Sequence, residues 1–370
     1  MKRRKFLTIA GSSIVIAGVT YYLQSDKRNF ERADSLENDT AIQITPEERT
    51  ILQLASLAPS GHNTQPWLIK YLEPFHWIVG NDKSKWLNAV DPTQRETILS
   101  IGAFLQNLEY GANSLGYNCQ FNLLATSNQE EDIIDVKLIK NKSPLKYETE
   151  AIAHRRTVRS NYENDILKKE DLTYILNSET GWVHYIPNNS PQHQWINEQT
   201  IEANRIQSYR DAAQSELADW LRFSSKDAAQ HADGLTLAGM EIGGITAWYL
   251  RNFYNKNDVM KKSFRDQSID KTVKQVSQSA GWLLITSKDN STANLLETGK
   301  RLQRIWLKIR DKNIAIHPMT QLIEESPKNL TLNNSIGISD PIQFILRAGY
   351  IKNYPEPVSL RRSLDKFIKM

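Results

Sequence analysis

The stretch Ala58-Pro59-Ser60-Gly61-His62-Asn63-Thr64-Gln65-Pro66-Trp67 decides how the rest of the chain is read. Pro59 stops any helix before it, because proline cannot continue the hydrogen-bond ladder. Ser60 to Gln65 then make a short polar loop of turn-forming residues. Gly61 lets the backbone approach a neighbouring group closely. Asn63 and Gln65 can each donate and accept. Trp67 reads as a core residue at the start of a strand. Spacing alone makes this an ordinary polar loop between a helix and a strand.

Upstream, Thr45-Pro46-Glu47-Glu48 starts a helix: Thr45 caps, Pro46 suits the first position and Glu48 completes a capping box. Ile51, Leu52, Leu54, Ala55 and Ala58 supply its apolar face. Downstream, residues 67–72 and 76–79 read as a hairpin. A long helix is expected over 97–115, ended by Gly116, then strands over 121–125 and 133–139. Further helices are expected over 149–159 and 169–176, and helices dominate 192–253. Strands at 281–286 and 342–348 flank a second long helix over 295–312. This mixture predicts an α+β chain. Gly102-Ala103-Phe104-Leu105-Gln106 and Gly299-Lys300-Arg301-Leu302-Gln303 share the pattern G-x-x-L-Q, each within a long helix. Alone this is a weak repeat.

With 370 residues, 40% hydrophobic and 24% charged, the chain can bury a sizeable core. The net charge of +4 owes much to the first five positions, and no basic stripe for nucleic acid stands out. Cys119 is the single cysteine, so no intramolecular disulfide can form. The scattered histidines lack zinc-site spacing. Residues 1–24 open with Met-Lys-Arg-Arg and continue as an apolar run from Phe6 to Leu23. That layout is an export signal or a hydrophobic anchor. Arg3-Arg4-Lys5-Phe6-Leu7 resembles a twin-arginine motif. The expected location is therefore outside the inner membrane, periplasmic or anchored to its outer face. Residues 25–44 read as a polar linker.

Three segments together resemble the FMN-dependent nitroreductase family: Ala58 to Trp67, the basic motif His154-Arg155-Arg156-Thr157-Val158-Arg159, and the tail around Leu346 to Tyr350 and Pro357 to Arg362. Their order is reversed relative to the family's usual homodimeric proteins. The resemblance is greatest to the fused single-chain, Acg-like branch. It implies a nitroreductase-like fold of two fused pseudo-repeats, over 45–148 and 149–370. Each has a central, mostly antiparallel sheet flanked by helices, and a helical lid is inserted at about 199–254. One composite site, in a monomer, would be shared by the two halves.

The implied cofactor is FMN. Arg155, Arg156 and Thr157 lie together on what reads as a helix, which also holds Arg159; by spacing alone Arg155 to Arg159 is an ordinary solvated basic helix face. The resemblance implies that these residues, with Arg361 and Arg362, hold the phosphate, for which guanidinium forks are suited. It implies that Ser60, Gly61, Asn63 and Gln65 face the flavin ring and ribityl chain. It brings backbone groups of Pro318, Met319 and Thr320 near the reactive nitrogen. No side chain is assigned as an acid, base or metal ligand; Glu324-Glu325 reads as a solvated turn. The function expected is hydride transfer through FMN, from NAD(P)H to a nitroaromatic, quinone or similar acceptor. The alternative is an exported protein that stores FMN under its lid.

Overall fold

The capping box forms as its residues dictate. The Thr45 side chain accepts from the Glu48 amide at 3.2 Å, and the Glu48 carboxylate accepts from the Thr45 amide at 3.0 Å. This computed structural model describes residues 30–37, 43–141, 149–177, 179–325 and 330–370. The expected export or anchor segment lies outside the described residues. No helix among them is long and apolar enough to cross a membrane.

The first half begins with α1 (Arg32–Glu37) and α2 (Pro46–Ser56). Then come β1 (Trp67–Glu73), β2 (His76–Asn81), α3 (Arg95–Ser114), β3 (Tyr117–Leu123) and β4 (Asp132–Lys140). The second half has α4 (Glu150–His154), α5 (Lys169–Leu176) and β5 (Val183–Pro187). An insertion follows: α6 (Pro191–Tyr209), α7 (Asp211–Trp220), β6 (Leu221–Arg222), α8 (Ser225–His231), β7 (Leu235–Thr236), α9 (Gly244–Phe253), α10 (Lys256–Val259) and α11 (Lys262–Val276). The chain closes with β8 (Gly281–Thr286), α12 (Thr292–Ile309), β9 (Ile314–Pro318), α13 (Gln321–Glu324), α14 (Leu330–Ile336), β10 (Ile342–Tyr350) and β11 (Ile368–Lys369).

The two main sheets have the same topology. The first runs β1-β2-β4-β3 and the second β5-β8-β10-β9, all antiparallel neighbours. In each half the long helix, α3 or α12, sits between the second strand and the third. The halves differ where β1 meets β2 through Pro74 and Phe75 alone, while β5 and β8 are separated by the inserted helices. That insertion extends beyond 199–254 on both sides. Finally β11 adds in parallel to the free edge of β1, so the tail of the chain returns to the first half.

The G-x-x-L-Q echo marks where α3 and α12 cross. A Cβ on Gly102 would lie 2.2 Å from the Leu296 carbonyl oxygen, and one on Gly299 would lie 2.0 Å from that of Leu99. The glutamines repeat the symmetry: Gln303 Nε2 donates to Asn107 Oδ1 at 2.7 Å, and Arg304 Nη1 donates to Gln106 Oε1 at 2.9 Å. Each pair maps onto the other by the sequence offset that separates Gly102 from Gly299. Around the crossing, one apolar cluster draws Trp67, Phe104 and Ile69 from the first half and Leu302, Ile305 and Trp306 from the second. Burying each of the larger of these contributes on the order of 1.5–3 kcal/mol.

Three expectations need correction. The helix foreseen over 149–159 stops at His154. Arg155 is extended (φ −61°, ψ 133°), because β-branched Thr157 and Val158 support a helix poorly and the Arg155 guanidinium is drawn inward. The linker is partly helix: α1 docks, with Arg32 Nη2 donating to the Ala153 carbonyl at 3.1 Å and the Ser35 hydroxyl accepting from the Arg361 amide at 3.2 Å. Strands β5 and β9 were not foreseen, being short and each ended by proline.

Candidate functional site

The loop after α2 is bent by three non-glycine residues with left-handed backbone: His62 (φ 48°), Asn63 (φ 55°) and Gln65 (φ 55°). Such conformations cost energy and persist where surrounding contacts hold them. Here those contacts are visible. Asn63 Nδ2 donates to the carbonyls of Gly234 (3.1 Å) and Leu360 (3.2 Å), and its Oδ1 accepts from Arg361 Nη1 at 3.0 Å. Gln65 Nε2 donates to the Ala232 carbonyl at 3.0 Å, and its Oε1 accepts from the Arg362 amide at 2.9 Å. The loop thus ties the inserted segment and the tail to the first half.

Beside it lies a cavity of about 380 Å³, within the usual range of small-ligand sites. Its walls include Ser60, Gly61 and Asn63; Arg155, Arg156, Thr157 and Arg159; Pro318, Met319 and Thr320; and Arg361. So segments hundreds of residues apart meet. Gln65 and Arg362 do not line it. Gln65 is fully buried in the bonds just described. Arg362 donates to the carbonyls of Gln65 and Trp67 and faces Asp82 at 3.5 Å. Its charge is already matched, so it does not serve the cavity. Asn63 lines the cavity, but its amide is spent on protein groups.

Arg155 and Arg361 are different. Both are buried, and among the described residues neither has a carboxylate within salt-bridge distance. Arg155 Nη2 and Arg361 Nη2 converge on the Leu57 carbonyl, at 3.0 and 3.1 Å. The Nε atoms of both lack any partner. Arg155 also lies 4.9 Å from the centre of the Trp306 ring. Burial pushes the Arg155 guanidinium down to about 9, with Arg32 adding repulsion; burial, Arg32 and Arg155 hold Arg361 well below its ordinary range. Buried like charges without counter-charge are costly. An anion placed among them would relieve that cost. Arg159 lines the same cavity, and its guanidinium donates to no group among the described residues. Arg156 is partly matched, with Glu241 at 3.7 Å.

At the second-half wall, the Met319 amide is used by the Ile345 carbonyl at 2.9 Å. Pro318 carries no N–H, so of the three expected backbone groups only the Thr320 amide is a donor that makes no hydrogen bond among the described residues. His317 also faces the cavity, its imidazole held well below its usual range by burial and by Arg159.

Sequence reasoning missed an acidic pair. Glu96 and Glu324 both line the cavity, and Thr320 Oγ1 lies 3.2 Å from Glu96 Oε1 and 2.7 Å from Glu324 Oε1. Glu324 is therefore no solvated turn residue, because the fold carries it against Glu96; Glu325 instead pairs with Arg210 at 2.5 Å. Burial, then the Glu96 charge, raises the Glu324 carboxyl to about 8. The same two causes raise Asp91, behind Glu96, to about 7. A carboxyl raised on folding binds more protons in the native state between about 4.3 and 8, so its effect lowers stability as pH rises through that window. Glu324→Gln removes this slope. We expect its melting temperature, relative to the parent, to gain at least about 2 °C between pH 5 and pH 8.5; a constant difference would contradict the placement.

No family profile matches the chain. Two curated relatives carry provisional names as NAD(P)H nitroreductases. PigM of Serratia sp. (strain ATCC 39006) is 22% identical over 327 residues, covering 84% of this chain and 89% of PigM. The acg protein of Mycobacterium tuberculosis is 23% identical over 333 residues, covering 86% of this chain and 94% of acg. Among solved structures, the chain is similar to the FMN-dependent nitroreductase NfnB of Mycobacterium smegmatis in complex with NADPH. That match has a TM-score of 0.34 and 15% identity, and covers 60% of this chain and 96% of NfnB.

Proposed function

We propose that this chain is an FMN-binding oxidoreductase of the nitroreductase type, with one flavin in the cavity between its two halves. The observation that carries this is the pair of buried, carboxylate-free guanidiniums of Arg155 and Arg361 beside the Ser60–Asn63 loop. The names of the two relatives agree with it. FMN, when bound, supplies the hydride chemistry. The chain supplies position and charge. Arg155 and Arg361 hold the phosphate, with Arg159 and Thr157 beside them. The Ser60 hydroxyl and Gly61 backbone line the site, and the Thr320 amide offers one fixed donor. NAD(P)H is the proposed donor, and a nitroaromatic, quinone or similar molecule the acceptor. The fused halves make a working monomer, and residues 1–24 direct export or anchoring.

A second reading, flavin storage with little turnover, is favoured by the way the inserted segment is fastened. The Gly234 amide donates to the Asn63 carbonyl at 3.1 Å while Asn63 Nδ2 donates back to the Gly234 carbonyl. On the far side, Glu241 accepts from the Arg159 amide at 2.8 Å and from the Ser160 hydroxyl. A visible spectrum decides between these readings. The chain should be purified from Phe30 onward, keeping α1. We expect a yellow protein holding one FMN, bleached by NADPH without oxygen and recoloured by a nitroaromatic. Bleaching by dithionite alone would favour storage. A colourless product that takes up no FMN would sink both.

A further inference from the structure

We infer that the wall of the cavity built by Glu96, Glu324, Gln321 and Asn204 is a subsite for a planar ligand that donates hydrogen bonds, one carrying amide, amidine or phenolic N–H or O–H groups. This rests on reading the cavity as the flavin site, and it names the class of molecule that would meet the flavin there.

The wall offers acceptors. Glu96 comes from α3 of the first half and Glu324 from α13 of the second, and the two carboxyls share the Thr320 hydroxyl. Asn204, on α6 of the insertion, lines the same cavity and is only 7% exposed, yet its Oδ1 has no partner. Gln321 Oε1 is likewise buried without a partner. Three nearby donors are engaged with protein, the first being Arg95, whose Nη2 donates to Glu96 Oε1 at 2.9 Å and leaves Glu96 Oε2 open. Gln207 Nε2 donates to Glu324 Oε2 at 2.6 Å and to Glu325 Oε1 at 3.1 Å. Lys271 Nζ donates to the Met240 carbonyl at 2.9 Å. Burial and the Glu96 charge keep a proton on Glu324 near neutrality, and that proton is directed at Glu96.

Unpartnered buried acceptors are costly, and a ligand N–H or O–H would satisfy them. A bare nitro group only accepts, so it would leave these oxygens unpaired. Sites built to pair with a ligand's donors reject analogues that lack them far more strongly than apolar pockets reject a change of size. The insertion therefore contributes selectivity as well as cover.

The test uses three planar molecules of similar size: benzamidine, benzamide and nitrobenzene. FMN content of the full chain is measured first. Each compound is then titrated against the FMN-loaded protein, following the flavin absorbance. We expect benzamide and benzamidine to bind at least about tenfold more tightly than nitrobenzene, the gain from one hydrogen bond to a charged group. Glu96→Gln removes the charged acceptor, places an N–H donor on this wall and should bring that ratio close to one. Asn204→Leu, which removes the other acceptor, should also lower it. Nitrobenzene binding as tightly as benzamide would overturn the inference, as would a ratio unchanged in both variants. If the protein holds no flavin, the same titrations are followed by tryptophan fluorescence. The ranking retained there would support the subsite while the flavin reading falls, and the ranking lost would overturn the subsite too.

Discussion

Gly299→Ala should lower the melting temperature by about 1–3 °C, although alanine is the better helix former. In an exposed helix this replacement stabilises by about 1 kcal/mol. Gly299 is in α12, and the added methyl would lie 2.0 Å from the Leu99 carbonyl oxygen and 2.8 Å from its carbon. Backbone atoms of α3 cannot turn aside as a side chain can, so one whole helix must shift. Overpacking of this kind costs about 1–3 kcal/mol and occasionally more, which outweighs the propensity gain. Gly102→Ala meets the mirror-image contact, 2.2 Å from the Leu296 carbonyl oxygen, and should behave alike. The two contacts share one crossing, so the double variant should not be additive. Thermal unfolding of the three proteins checks this. A rise in melting temperature for either single variant would mean that the helices do not cross here.

The consequence reaches beyond stability. Arg155 and Trp306 belong to the second half, while Ser60 and Leu57 belong to the first. The α3–α12 crossing is what fixes one half against the other. A shift there should loosen the cavity before it unfolds the chain.

Local chemistry was legible in the sequence; long-range consumption of side chains was not. The Thr45–Glu48 box, the Gly116 stop and the two glycines of the echo are each determined by near neighbours or by a repeated pattern. The roles of Gln65 and Arg362 were misread because nothing in their neighbourhood reveals that they would bond one another across 297 residues. Arg155 to Arg159 looked helical because their basic spacing fits a helix face. Burial of one guanidinium against Leu57 and Trp306 decided otherwise. Glu324 was set aside as a turn residue for a similar reason: its meaning comes from Glu96, which only the meeting of the two halves supplies. The two adjacent arginines of the tail show the limit most clearly. Arg361 lacks a carboxylate and Arg362 has Asp82, yet the sequence presents them as equals.

That contrast yields the second large effect. Replacing Arg155 with methionine should weaken FMN binding by tenfold or more while leaving riboflavin binding nearly unchanged. Riboflavin carries the same ring and ribityl chain without the phosphate, so it senses the cavity but not the charge. Each guanidinium would form charge-assisted bonds to phosphate, worth about 1.5–3 kcal/mol apiece, or roughly 10- to 150-fold in affinity. Methionine keeps much of the length and apolar bulk of the stem, which limits the packing loss. Without ligand, Arg155→Met removes a buried, repelled charge and a single hydrogen bond to the Leu57 carbonyl, so the flavin-free protein should lose little stability; Arg361→Met also strips Asn63 Oδ1 and the Ala58 and Leu360 carbonyls of a donor and should cost stability. Arg362→Met should do the reverse of Arg155→Met. It strips a partner from Asp82 and from the carbonyls of Gln65 and Trp67, so it should cost stability and weaken both flavins equally. Equilibrium titration of the flavin-free protein with each flavin separates these outcomes. Equal losses of FMN and riboflavin affinity in the Arg155 variant would remove the phosphate from this end of the cavity, and with it the strongest argument for flavin.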